Sequence, residues 1–387
     1  MRALIKISVF TGNRAEYGLL YPLLKALLAK PSIEVSLIIS GSHLSTAYGM
    51  SLSEIDLSGF INTEKIEMLH ADQEWNQRIT DEMAFLMSAG GRSLKKLDPD
   101  ILILAGDRYE AFTIAIASFY MNIPIAHIFG GDLSQGGHLD DSIRHSITKL
   151  SHIHFTSNED SHRRVLALGE EPWRVFNVGS LSIDNMVAGE YARPEELFSE
   201  FEINTNMPIV LFTQHPVTTE SEDAYSQVKE SLEAMKELGY QTIITYPCMD
   251  NGSQHIIRAI HEYEDLSNFR IIKSLGWKRY LGFLNIASVV VGNSSSGLME
   301  TPYFKVPCVN VGTRQAGRFR SSNVVDVNYN KKEIKDAIIK AVSDKDYIKQ
   351  INKCENPYGD GSASRKIIEI LKTIPIDRKL LQKKMTY

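Results

Sequence analysis

The sequence lacks the features that mark membrane, disulfide-rich and zinc-binding proteins. Its three cysteines, Cys248, Cys308 and Cys354, are odd in number and show no CxxC spacing, so neither a disulfide framework nor a zinc site is expected. The longest apolar runs, such as 101–105 and 288–291, are far too short to span a bilayer. The first residues predict a buried strand rather than a signal peptide. We therefore expect a cytoplasmic, reduced protein without a metal or other cofactor.

A strong excess of one charge is also lacking. The chain has 42 Lys and Arg against 47 Asp and Glu, a formal net charge of −5, which argues against a nucleic-acid or anionic-membrane partner. No GxGxxG and no GxxxxGKS/T motif is present, which disfavours a standard dinucleotide site or a P-loop. At 387 residues the chain is too long for one comfortable core, so two domains are expected.

What the sequence does contain is a repeated alternation of short apolar runs with longer amphipathic ones, typical of parallel sheets covered by helices on both faces. The polar segment 188–207 interrupts the alternation, which then restarts. We predict two doubly wound α/β domains facing a cleft, residues 1–187 and 188–373, with a tail over 374–387 that could pack back on the first domain. The predicted strands are 4–10, 35–40, 101–105, 123–128 and 153–156, then 209–213, 242–246, 269–272, 288–291 and 308–311.

Polar clusters follow most of these strands. The stretch 127–145, HIFGGDLSQGGHLDDSIRH, follows one strand, leads into a predicted helix and carries Asp132, Asp140 and Asp141. Asp107 follows the strand before it. Scattered surface polarity would not select the same end of so many strands. We therefore interpret these side chains as acids and bases of a reaction rather than as solvated surface groups.

The segment VGNSSSGLME, residues 291–300, indicates an anion site. A helix predicted to begin near Gly297 would offer free N–H groups, and the hydroxyls of residues 294–296 would add donors. Glu300 could accept hydrogen bonds from ribose hydroxyls. The alternative is an ordinary serine N-cap followed by a glutamate that the helix dipole favours.

Basic side chains after other strands fit the same anion. Arg14, Arg108 and Arg314 each follow a strand, and a forked guanidinium suits phosphate oxygens. A lone arginine is more often part of a surface ion pair, which is the alternative for each. His215 precedes a proline at a strand end and could donate to a phosphate or transfer a proton, with a structural histidine as the alternative.

One set of motifs runs in order from residue 8 to about residue 370: GNRAEYG, GSHL, GDR, GGD followed by DDSIRHSITKLSH, VGSLSID, HP, GNSSSGLMETP, VGTRQAGR and NPYGDGSAS. Together they resemble the UDP-N-acetylglucosamine 2-epimerase family. The chain has HIFGGD where the non-hydrolysing branch typically has HVEAG, so it is similar to the hydrolysing branch used in bacterial sialic-acid synthesis. The family has the GT-B architecture, two Rossmann-like domains with the nucleotide mostly in the second.

The resemblance implies roles for the residues that match the family's positions. Asp107 and His215 match catalytic positions, and Asp132 stands where many hydrolysing members have glutamate. The choice between Asp140 and Asp141 as the second acid stays open. Sugar chemistry is expected in the first domain and UDP binding in the second. The predicted substrate-binding residues, which include those of the serine-rich segment, are Arg14, His43, Arg108, Leu275 (through its backbone, to uracil), Ser294, Ser295, Ser296, Gly297, Glu300 and Arg314.

The resemblance also implies the reaction. UDP-N-acetylglucosamine and water would give N-acetylmannosamine and UDP, by anti elimination of UDP and hydration of the glycal, in a homodimer or homotetramer. The same reaction on UDP-2,4-diacetamido-2,4,6-trideoxyglucose, of legionaminic-acid synthesis, stays open, because nothing in the sequence fixes the substituents at C4 and C6. A GT-B glycosyltransferase and a non-catalytic nucleotide-sugar binder are alternatives of another class, and neither needs several acids.

Overall fold

The computed structural model describes residues 4–45, 50–68, 75–134, 138–248 and 250–387. The chain forms two compact units, one made of Met1–Asp132, Asp140–Ala188 and Tyr358–Tyr387, the other of Leu133–Leu139 and Gly189–Pro357. Within the described ranges, no helix is both long enough and apolar enough to cross a membrane.

The first unit is built on a parallel sheet whose strands alternate with helices. Its elements are β1 (Ile5–Thr11), α1 (Arg14–Leu28), β2 (Ile33–Ser40), β3 (Asn62–Ile66), α2 (Trp75–Leu97), β4 (Ile101–Ala105), α3 (Tyr109–Tyr120), β5 (Ile125–Ile128), α4 (His138–Leu150), β6 (Ile153–Thr156), α5 (Glu159–Ala167), β7 (Val175–Asn177) and α6 (Leu181–Val187). The strand order is β3-β2-β1-β4-β5-β6-β7. Every residue of β4, ILILA, is buried, as expected for a strand covered by helices on both faces.

The second unit repeats this construction. Its elements are α7 (Pro194–Glu200), β8 (Ile209–Thr213), α8 (Ala224–Leu238), β9 (Gln241–Thr245), α9 (Ser253–His261), β10 (Phe269–Ile272), α10 (Gly276–Ile286), β11 (Val289–Gly292), α11 (Ser296–Met299), α12 (Thr301–Phe304), β12 (Cys308–Val311), β13 (Val324–Val327), α13 (Lys331–Ser343) and α14 (Lys345–Ile351). The strand order is β10-β9-β8-β11-β12-β13, again parallel.

Each sheet reverses its strand order once, between β1 and β4 in the first unit and between β8 and β11 in the second. Open α/β sheets bind ligands at the carboxyl ends of the strands beside such a reversal. Backbone packing is tight near both: a Cβ on Gly41 would lie 2.3 Å from the carbonyl oxygen of Gly12, and one on Gly292 would lie 2.0 Å from that of Thr213. The prediction of two doubly wound Rossmann-like units is confirmed.

The C-terminal end of the chain belongs to the first unit. Helices α15 (Ala363–Thr373) and α16 (Arg378–Leu381) complete the chain, and α15 packs on α1 and α6. The carboxylate of Asp184 in α6 accepts from the amides of Ala363 and Ser364 at 3.0 and 2.7 Å. The structure thus differs from the predicted second domain over 188–373, because α15 finds the partners for its apolar face in the first unit.

Candidate active site

In the first unit, a buried arginine contacts three of the four predicted acidic residues. Arg144 lies in α4, and its side chain is 2% exposed. Its guanidinium forms an ion pair with Asp107 and donates to Oδ1 of Asp141 (2.7 Å) and to the main-chain oxygen of Asp132 (2.8 Å). Asp107 follows β4 and keeps 23% of its side chain exposed, and Asp140, in the first turn of α4, is half-buried. Three of the predicted acidic positions therefore meet at one cation.

The side chain of Asp132 is enclosed by hydroxyls. Asp132 is 2% exposed, and its Oδ1 accepts from the Oγ atoms of Ser157 and Ser161, both at 2.6 Å. Ser157 follows β6 and Ser161 lies in α5, so this carboxylate anchors the loop after β5 to the neighbouring strand end. Residues 135–137 of the predicted stretch 127–145 lie outside the described residues.

The two predicted arginines of the first unit lie beside carboxylates at the reversal of the sheet. Arg14 opens α1, and its Nη1 lies 3.9 Å from Oε1 of Glu54. Arg108 directly precedes α3, and its Nε lies 3.6 Å from Oε2 of Glu110. The side chains of Arg14 and Arg108 are 27% and 21% exposed, and their contact with an anionic ligand stays a prediction.

Glu16 and His43 are among the buried titratable side chains at this end of the sheet. Glu16 accepts from the amide of Gly12 at 2.7 Å, and burial raises the pKa of its carboxyl to about 8. His43 is hydrogen-bonded through Nε2 to Thr11 (3.0 Å) and through Nδ1 to Ser51 (2.8 Å), and burial lowers its pKa to about 4. Because both ring nitrogens are engaged, His43 joins the ends of neighbouring segments. Its contact with a substrate stays a prediction.

In the second unit, the end of β8 is tied to the end of β11. The amide of His215 donates to Oδ1 of Asn293 (2.6 Å), and Nδ2 of Asn293 donates to the carbonyl oxygen of His215 (2.9 Å). Nδ1 of His215 accepts from the amide of Cys248 at 3.0 Å. An accepting Nδ1 leaves the proton of a neutral imidazole on Nε2. His215 therefore has a hydrogen-bond donor at Nε2.

The helical structure in and after the serine-rich segment is limited to single turns. The helix expected from Gly297 is the single turn α11, and a second single turn, α12, follows it. So short a helix carries little dipole, so the predicted anion site would depend on the hydroxyls of residues 294–296, and anion binding here stays a prediction. Ser296 donates to Oε2 of Glu300 at 2.6 Å. A Cβ on Gly297 would lie 2.6 Å from Sγ of Cys308, so packing alone explains this glycine.

Arg314 and Leu275 follow two other strands of the second sheet. Arg314 has a 14% exposed side chain, donates to the main-chain oxygen of Asn293 (3.4 Å) and lies 3.9 Å from Asp250. Leu275 is 4% exposed and directly precedes α10. Arg314 and His215 are thus joined through one buried asparagine, whereas the backbone contact of Leu275 with uracil stays a prediction.

Two organising residues, Arg144 and Asn293, are not singled out by the sequence pattern. Arg144 stands three positions after Asp141 in a helix, a spacing equally typical of a solvent-exposed ion pair. Asn293 follows a strand, where asparagine is common in turns of any function. Only the burial of these two side chains distinguishes them from surface residues: Arg144 is 2% and Asn293 0% exposed.

Comparisons with known proteins agree with the fold. The family model described as UDP-N-acetylglucosamine 2-epimerase matches residues 25–372. The UDP-N,N'-diacetylbacillosamine 2-epimerase (hydrolyzing) of Legionella pneumophila is 33% identical over 387 residues, 99% of each chain. The UDP-N-acetylglucosamine 2-epimerase of Neisseria meningitidis serogroup B is 32% identical over 87% of this chain and 88% of its own. The crystal structure of UDP-GlcNAc 2-epimerase from Neisseria meningitidis bound to UDP-GlcNAc is similar with a TM-score of 0.80, at 20% identity, over 96% of this chain and 100% of its own.

Two parallel α/β units, each with polar side chains at its strand-order reversal, define the GT-B class of fold. The chain belongs to the UDP-N-acetylglucosamine 2-epimerase family, in its hydrolysing branch. It is accordingly a hydrolysing 2-epimerase of a UDP-sugar, and the resemblance found in the motifs is confirmed.

Proposed function

We propose that the chain converts UDP-N,N'-diacetylbacillosamine, which is UDP-2,4-diacetamido-2,4,6-trideoxyglucose, and water into UDP and the free 2-epimeric sugar. The observation that supports this substrate is the Legionella relative, which matches over the whole length of both chains and carries that name. UDP-N-acetylglucosamine, with N-acetylmannosamine as product, is the second candidate, supported by the family description and the Neisseria relative. The two sugars share the acetamido group at C2 and differ at C4 and C6.

The proposed chemistry is common to both sugars. No carbonyl group activates the C2 proton, so direct deprotonation would face a high barrier. If UDP leaves C1 first, positive charge grows at C1 and a base can remove the C2 proton, forming a glycal by anti elimination. Water then adds its hydroxyl group to C1. C2 receives a proton on the face opposite to the one from which the first proton was removed, which inverts C2. Positioned acids and bases contribute about 10²–10⁴-fold to such proton transfers.

The predicted acids of the first unit are proposed to move these protons. Asp107 combines an ion pair that fixes its carboxylate with a partly exposed side chain, as a catalytic base requires. Asp132 and one of Asp140 and Asp141 are the further candidates, and Asp141 shares Arg144 with Asp107. Two carboxylates on one arginine, those of Asp107 and Asp141, suit two successive proton transfers, whereas a glycosyltransferase needs one base and a non-catalytic binder needs none.

The donors of the second unit are proposed to hold UDP. Hydroxyl, imidazole and guanidinium donors stabilise the negative charge that grows on the departing diphosphate. Glu300, which Ser296 already contacts through Oε2, is proposed to accept from the ribose. The proposed ligands in the second unit are His215, Leu275, Ser294, Ser295, Ser296, Glu300 and Arg314. Arg14 and Arg108, in the first unit, stay predicted substrate-binding residues.

The test is turnover of the two UDP-sugars, side by side, in deuterated water. We expect UDP and a manno-configured free sugar with solvent deuterium at C2, and a higher kcat/KM for the diacetamido sugar. A product that keeps its original C2 hydrogen would contradict elimination. A higher kcat/KM for UDP-N-acetylglucosamine would reverse the choice of substrate. UDP release without epimerisation would indicate a transferase or hydrolase, and absence of turnover a binder.

A further inference from the structure

Asn293 is buried at the end of β11 with every polar group hydrogen-bonded. It is 0% exposed, and its side chain exchanges two hydrogen bonds with the backbone of His215, at 2.6 and 2.9 Å. Its amide donates to the carbonyl oxygen of Thr213 at 3.2 Å. Its own carbonyl oxygen accepts from Gln315 (2.9 Å) and Arg314 (3.4 Å).

The side chain and the main chain of Asn293 hold different neighbours. The side-chain amide fixes His215 at the end of β8, and the main-chain oxygen fixes the loop after β12. A substitution at Asn293 leaves the main-chain contacts in place. Its direct effect on hydrogen bonding is therefore confined to His215.

The donor atom of His215 has its direction set by two contacts. Asn293 fixes the backbone of His215, and the amide of Cys248 fixes the ring by donating to Nδ1 at 3.0 Å. With Nδ1 accepting, the proton of the neutral ring is on Nε2. If the backbone of His215 shifts, the Nε2–H bond shifts with it.

We propose that Asn293 is a positioning residue for UDP binding: its side chain holds the backbone of His215 so that the Nε2–H bond meets a phosphate oxygen of the diphosphate. This inference rests on the proposed function, in which His215 is a ligand of UDP. An amide side chain suits the task because it offers an acceptor for the N–H and a donor for the C=O of one residue, whereas a carboxylate offers acceptors only.

The test is a double-mutant cycle on UDP affinity, measured by calorimetry on the full chain. The proteins are the wild type, Asn293→Ala, His215→Ala and the double variant. We expect Asn293→Ala to raise the Kd for UDP about tenfold in the wild type, and by less than about twofold once the His215 ring is gone. The backbone of His215 persists in every variant. Asn293→Ala should therefore lower thermal stability equally in both backgrounds, although its effect on affinity is coupled.

Asn323 provides the matched control. It is also 0% exposed, and its Nδ2 donates to Thr301 Oγ1 and to the carbonyl oxygen of Val306, both at 2.7 Å. Asn323→Ala should lower thermal stability in the same way and leave UDP affinity unchanged. The comparison of Asn323→Ala with Asn293→Ala therefore separates the general effect of removing a buried asparagine from the specific effect of releasing His215.

An equal rise in Kd in both backgrounds, or none in the wild-type background, overturns the proposal. If Asn293→Ala does not fold, Asn293→Asp carries the same cycle, since it keeps the volume and the acceptor for the His215 amide. A wild-type protein that binds no UDP would refute the proposed function and this inference together. A wild-type protein that binds UDP with an additive cycle would refute only the role of Asn293.

Discussion

At the scale of single residues, Asp107 can be tested without dismantling its surroundings. Asparagine has the same shape, and Arg144 keeps its hydrogen bonds to Asp141 and to the main chain of Asp132. We expect Asp107→Asn to lower kcat by about 10²–10⁴-fold, the usual contribution of a positioned acid or base. The Kd for UDP should stay within a few-fold, because Asp107 is not one of the proposed UDP ligands. Steady-state kinetics and calorimetry measure the two effects separately, and loss of UDP binding by a folded variant would contradict the assignment.

Sequence position was informative about the acids but not about their partner. Asp107 and Asp132 follow strands β4 and β5, and the rule that parallel sheets bind ligands at that edge was enough to select them. Arg144 lies inside a helix, where a pattern cannot tell a charge facing solvent from one facing the sheet edge. The burial of Arg144, whose side chain is 2% exposed, and its contacts with Asp107, Asp132 and Asp141 follow from the packing of α4, which the local sequence does not specify.

At the scale of elements, the sequence predicted the central strands and one edge strand, β10, and missed the other three edge strands. The strands it missed, β3, β7 and β13, all stand at the edge of a sheet. An edge strand has a neighbour on one side only and carries polar residues, so it lacks the continuous apolar run of a covered strand. The sequence NTEKI of β3 has one buried residue of five, whereas all five residues of β4 are buried. The apolar pattern therefore gave the central strands of both sheets and the edge strand β10, but not the other three edge strands.

Helix α15 shows a second limit of local pattern. Its amphipathic pattern predicts a helix, but the sequence of the helix does not determine which of the two units its apolar face packs against. The answer is in long-range contacts: α15 packs on α1 and α6, and Asp184 accepts from its first two amides. Asp184 thus takes the part that a capping residue within the helix usually takes.

Removal of this cap should destabilise α15 and its packing on the first unit. Asp184 is 8% exposed, so Asp184→Ala leaves two buried amides without their acceptor. We expect the free energy of unfolding to fall by about 2 kcal/mol, and less for Asp184→Asn, which keeps one acceptor. Urea unfolding measures the loss, and hydrogen exchange at Ala363 and Ser364 should accelerate. Asp346→Ala is the control, because its exposed pair with Lys349 should contribute less than about 0.5 kcal/mol. Unchanged exchange at both amides would show that Asp184 does not cap α15.

At the scale of the whole molecule, buried titratable groups make stability depend on pH from both directions. Burial lowers the pKa of His127 to about 3 and that of His154 to about 4, from 6.5. Between these lowered pKa values and 6.5, the unfolded chain binds protons that the folded chain does not, so the free energy of unfolding falls as pH falls below 6.5.

Glu16 acts in the opposite direction. Burial and, less strongly, the charge of Glu110 raise its pKa from 4.5 to about 8, although the amide of Gly12 and Arg108 favour the ionised form.

The sign for Glu16 follows from which state holds the proton. Between pH 4.5 and about 8, the folded chain keeps a proton on Glu16 that the unfolded chain has lost. The contribution of this carboxyl is fully present below pH 4.5, declines as pH rises and levels off above about pH 8. The difference between the pKa of Glu16 in the folded and unfolded chains corresponds to a total on the order of a few kcal/mol.

Glu16→Gln should remove this decline. Glutamine keeps an oxygen for the amide of Gly12 and cannot ionise, so we expect it to unfold like the wild type near pH 4.5 and at clearly higher temperature than the wild type at pH 8. Thermal unfolding at half-unit pH steps measures the difference between the two proteins, which should widen with pH and become constant above about pH 8. Glu369→Gln, at a side chain 62% exposed, should run parallel to the wild type at every pH. If Glu16→Gln also runs parallel, Glu16 ionises alike in the folded and unfolded chains. The decline in stability towards alkaline pH would then have to arise from another group.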